Sequence, residues 1–99
     1  MDENFKQKII EDFGLKNMDS REQEKMIEKI GNLLFESVVE RAIDVMDEGT
    51  MNDFDETVNN AGSDYQKIIS FLKSKVPGFD GIVSEEMSRL KRATAGIFA

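Results

Sequence analysis

Apolar residues recur along this chain at steps of three and four, and nowhere do they alternate with period two over the length of a strand. The longest such run begins near Ser20. From Ile27 through Ile30, Leu34, Val38, Ala42 and Val45 the spacing is that of a straight helix, and Ser37 and Asp44 break the seven-residue repeat a coiled coil would need. A helix is predicted over residues 20–46. Asp19 or Ser20 caps its start, with Glu22 or Gln23 placed to reach back and Met18 as a hydrophobic cover. At about 100° per residue, Met26 and Leu33 widen the apolar stripe on one side early in the helix. Phe35, Val39, Ile43 and Met46 widen it on the other side later. The buried face therefore rotates, as expected of a central element wrapped by different neighbours at its two ends. Such a helix would be about 40 Å long, against a diameter of about 33 Å for a compact chain of this size. Either it kinks near Gly31, or it protrudes and meets a partner, such as a second copy.

Four further helices are expected. Residues 3–13 place Phe5, Ile9, Ile10 and Phe13 on one face, Gly14 closes that helix in a left-handed cap, and Leu15 folds back as its apolar contact. This helix should dock on the early half of the central one. After a break at Asp47, Glu48 and Gly49, Thr50 caps a short helix carrying Met51, Phe54 and Val58, which ends around 59–62. Ser63 or Asp64 then caps a helix with Tyr65, Ile68, Ile69, Leu72 and Val76 inward, stopped by Pro77 and Gly78. The last begins near Asp80 and shows Ile82, Val83, Glu86, Met87, Leu90, Ala93 and Ile97 in one broad arc. Glu85 and Arg89 lie opposite, four apart, as an ion pair. Phe79 plugs the junction of the last two helices, and the apolar end Ile97, Phe98, Ala99 either docks back or contacts another chain. The expected fold is an all-α compact bundle of about five helices in one domain, 1–99.

Composition narrows the function classes. The 99 residues hold no histidine and no cysteine, which removes the commonest neutral-pH general base, the commonest transition-metal ligand and all thiol chemistry. Carboxylates, lysines and one tyrosine are what remain for catalysis, so a non-enzyme is expected, without cofactor. There is no transmembrane-length apolar run, and the acidic start (Met1, Asp2, Glu3) is unlike a signal peptide; a soluble, cytoplasmic chain is the expectation. A net charge of −7 opposes direct binding to nucleic acid or anionic membrane.

The charge is unevenly spread. Residues 36–64 contain nine acids and one base, whereas residues 65–99 contain three acids and six bases. Glu36, Glu40, Asp44 and Asp47 are predicted on the outer face of the late central helix, with Asp53, Asp55 and Glu56 just beyond the break. The plain reading is a solvated face that keeps a small protein soluble. The sharper ones are a docking surface for a basic protein partner, or a nucleic-acid mimic that inhibits a nucleic-acid-binding protein. A structural module that forms a homodimer through the long helix is the further alternative. A calcium loop is not supported: with Gly49 sixth, Asp44 comes first, but Met46 falls third and Asp55 twelfth. No metal site is expected. Arg89, Lys91 and Arg92 suit the C-terminal dipole of the last helix, and Met26, Met46, Met51 and Met87 fall on inner faces as core filler.

The order of these signals is similar to a known family. Phe13-Gly14-Leu15 before a capped long helix with SVVERAI, a short acidic helix with Phe54, and FLKSKVPGFDGIVSEEMSRLK at 71–91 resemble a family of short uncharacterised proteins, a domain of unknown function from candidate-phylum bacteria. The resemblance spans nearly the whole chain. It implies a small helical bacterial protein and transfers no catalytic or ligand residues.

Overall fold

The computed structural model describes residues 3–95, which form five helices: α1 (Glu3–Asp12), α2 (Ser20–Asp44), α3 (Glu48–Ala61), α4 (Tyr65–Lys75) and α5 (Phe79–Ala93). The all-α expectation holds, with no strand among the described residues. The positions proposed for Ile97, Phe98 and Ala99 lie outside the described residues.

Local chemistry sets the boundaries. Gly14, at φ 70°, lets the chain turn back after α1, so that the Leu15 N–H reaches the Ile10 carbonyl at 2.9 Å and the Leu15 side chain is fully buried. Asp19 caps α2 by accepting from the Arg21 and Glu22 N–H groups at 2.9 and 3.1 Å. The reciprocal half of the capping box differs from expectation. The Gln23 amide donates instead to the Leu15 carbonyl at 3.0 Å, tying the loop to α2. Helix α2 ends at Asp44, two residues earlier than predicted, with Val45 as an exposed C-cap and Met46 packed against the core beyond it.

The next start also moves. Asp47, not Thr50, is the cap of α3: its carboxylate accepts the Thr50 N–H at 2.7 Å. An extended backbone at Asp47 puts the carboxylate one turn ahead of the free N–H groups, where aspartate outcompetes threonine as a cap. Glu48 and Gly49 are therefore helical, and α3 has 14 residues rather than being short. Asp64 caps α4 through the Gln66 N–H. Gly78, left-handed at φ 72°, turns the chain into α5 one residue before the predicted start.

Two packing relations build the core. Helix α2 lies chiefly against α5, with α1 on its earlier part; α3 pairs with α4, and α4 also touches α5. Ile27, Ile30, Leu34, Val38 and Ala42 of α2 share one core with Ile9, Leu15, Phe54, Ile68, Leu72, Phe79 and Met87. The four inward methionines are all buried or packed against it. Exceptions lie at the edges of the predicted faces. Leu33 is 46% exposed, on the side of α2 that faces away from the Val38 stripe, and Ala93 is exposed near the end of α5. Tyr65 is 52% exposed at the first turn of α4, where it rests its ring on Phe35, and Val58 is about one-third exposed.

Helical structure continues through Gly31, and the protein extends 45 × 24 × 18 Å with a radius of gyration of 14.6 Å. A compact chain of this size would have about 12.6 Å. The bundle has lengthened to follow its longest helix.

Candidate functional site

The acidic face takes its form from the turn of α2. Glu36, Glu40 and Asp44 stand one turn apart on a ridge about 120–160° around from Val38, and all three are exposed. Among the described residues none of them has an ion-pair partner, and neither have Asp55 and Glu56, which are exposed on α3 together with Asp53. The Asp53 main-chain carbonyl accepts the Thr57 hydroxyl. Glu40 and Asp44 also sit in the last turns of their helix, where the partial negative charge of the unpaired carbonyls opposes them. That placement costs helix stability.

Asp47 departs from the predicted set. It lies off α2, and its carboxylate is committed to capping α3, because the free N–H groups of the new helix bind it more strongly than solvent does. The hydrogen bonds from the Thr50 N–H and then its hydroxyl hold the Asp47 carboxyl below its ordinary value of 3.8. A lowered folded pKa stabilises the fold above the unfolded value and ceases to do so as pH falls through the folded one. Wild type is therefore expected to lose an increment of thermal stability below about pH 4 that Asp47→Asn, which keeps a capping oxygen but cannot ionise, does not lose. Parallel circular-dichroism melts from pH 5 to 2 read the difference, and identical pH profiles would refute the cap's role.

The base among residues 36–64 turns away from the acids around it. Arg41 projects to α5, where its Nη1 lies 2.7 Å from Glu85 Oε2 and 3.1 Å from Glu86 Oε2. Glu86 is only 4% exposed and is also approached by Arg89 at 3.5 Å. The predicted Glu85–Arg89 pair is thus replaced: each residue binds a nearer partner, Glu85 across to α2 and Arg89 back to Glu86. The hydrogen bonds that Arg41 donates to Glu85, then to Glu86, push its pKa further up, so it stays charged throughout the accessible pH range. The sequence carried a signal for this network. Glu86 falls among Ile82, Val83, Met87 and Leu90 on the inner arc of α5, and a carboxylate there requires a cation from a neighbouring helix.

Other chemistry is sparse. No group of three or more acidic, histidine or cysteine side chains among the described residues is arranged to hold a metal ion. A broad open depression of about 800 Å³ lies between α1 and the start of α2. Lys6, Arg21 and Lys25 mix there with Glu24 and Glu28, and Lys6 pairs with Glu24 at 3.7 Å, so it presents no convergent set of one charge. No helix among the described residues is long and apolar enough to cross a membrane.

The family model described as a protein of unknown function, DUF5663, matches residues 9–94, from the inner face of α1 to the end of α5. No curated protein and no solved structure matches the chain. The chain belongs to the DUF5663 family.

Proposed function

We propose that this DUF5663 protein is a non-enzymatic, cytoplasmic interaction module that docks a basic protein partner through the outer ridge of α2 and the adjoining acids of α3. The observation that carries the reading is the unneutralised row Glu36, Glu40 and Asp44. Its only sequence-near cation, Arg41, is spent on α5, and its last member, Asp44, sits in the final turn of α2, where the helix dipole opposes it. Acids serving solubility alone could sit anywhere on the surface, including where they stabilise a helix. A row kept where it costs stability fits a surface selected to meet positive charge.

Affinity capture with the tagged protein, beside the variant E36K/E40K/D44K, tests this. The native face should retain a basic protein that the variant does not, with capture weakening as salt rises. Reversal relieves the clash with the dipole and leaves the buried face untouched, so the variant should keep its helical circular dichroism. A partner held equally by both forms would exclude the ridge as the docking surface.

A further inference from the structure

The acidic ridge has an apolar companion. Phe35, Val39 and Ile43 each directly precede an acid, Glu36, Glu40 or Asp44, so an apolar strip runs beside the ridge, about 100° around the helix axis. All three pack against the core and show only an edge to solvent. The main packing partners of α2 are α5 and α1, while the α3–α4 hairpin packs mainly on itself. What covers Phe35 is the Tyr65 ring, 4.9 Å between centroids, and Tyr65 is itself half exposed. The partly open strip from Phe35 to Ile43 is about 12 Å long, or just over two turns, rimmed on one side by unpaired carboxylates.

Building on the docking reading above, we infer that this face takes an amphipathic helix of basic character, its apolar side on Phe35, Val39, Ile43 and Tyr65 and its lysines or arginines on Glu36, Glu40 and Asp44. Charge decides the occupant. A second copy would bring two such carboxylate rows together, on chains already at −7, whereas a basic helix neutralises the row as it covers the strip.

The protein reports on this site itself, because Tyr65 is its one tyrosine and there is no tryptophan. The probe is a synthetic peptide of about four turns with leucine at i, i+3, i+4 and i+7, lysine elsewhere and no aromatic residue; its control is a scrambled peptide of equal composition. The patterned peptide should change Tyr65 emission saturably and bind at least tenfold more tightly than the control. Ile43→Ser should weaken it about tenfold. Val39→Ala, which keeps the helix and adds no polar group, should weaken it by a smaller factor with its helical circular dichroism intact, and E36K/E40K/D44K should weaken both peptides. Equal binding of the two peptides, unaffected by Ile43→Ser and Val39→Ala, would overturn the amphipathic-helix inference and leave acidic docking standing. Binding of neither peptide also overturns it, while the docking reading is judged separately by the capture experiment. A Tyr65 signal that changes with protein concentration alone, with a doubled mass in sedimentation, would overturn it in favour of a second copy.

Discussion

Replacing Leu72 with alanine is expected to cost about 2–5 kcal/mol of folding stability, read as a lower urea midpoint with an unchanged slope. Leu72 is completely buried on the inner face of α4, where it meets the core shared by α2 and α5. The cost has two parts, the lost transfer of hydrocarbon from water and the cavity that the surrounding side chains fail to fill. For a chain of this size each kcal/mol is worth about 4–8 °C in Tm, so a drop of at least about 8 °C should follow. Leu33→Ala removes the same atoms from a site that is 46% exposed, and should cost no more than about 0.5 kcal/mol. Equal losses at the two positions would show that α4 does not pack as described.

Arg41→Met is expected to destabilise the fold more than any single substitution on the acidic ridge. It leaves Glu86 buried at 4% exposure with only the more distant Arg89 for a counter-charge. Glu85→Ala, which removes an exposed carboxylate from the same arginine, should have a small effect. The double variant Arg41→Met, Glu86→Leu should recover most of the loss, because an apolar pair replaces a buried charge that no longer has its partner. A thermal double-mutant cycle tests this: additive losses would mean that the two side chains do not depend on one another.

Periodicity and caps made much of this fold legible. Gly14, Asp19, Asp64 and the Pro77-Gly78 turn each act through bonds to residues within five positions, and such local chemistry is visible in a sequence. The same holds for the core stripe from Ile27 to Ala42. The α2–α3 junction was harder because Asp47 and Thr50 are both good caps in isolation, and the winner depends on how the chain leaves α2. Leu33 and Tyr65 sit at the margins of apolar arcs, where burial depends on whether another helix reaches that far. The ridge of Glu36, Glu40 and Asp44 followed from helical spacing alone. Arg41 did not, since its partners lie on α5 and nothing near it in sequence distinguishes an inward arginine from a solvated one.

The pairing of α2 with α5 also sets the order in which the chain can assemble. Helices α1 and α2, and α3 and α4, are neighbours along the chain and need only short loops to meet. Arg41 and Glu86 are 45 positions apart, so α5 reaches its seat only by closing a long loop, whose entropy is lost before any contact compensates it. During synthesis from the N-terminus, the face of α2 that α5 covers stays open to water until α5 has emerged. The charged pair then forms across the final contact that shuts the core, where a misplaced α5 would leave Glu86 in hydrocarbon without its cation.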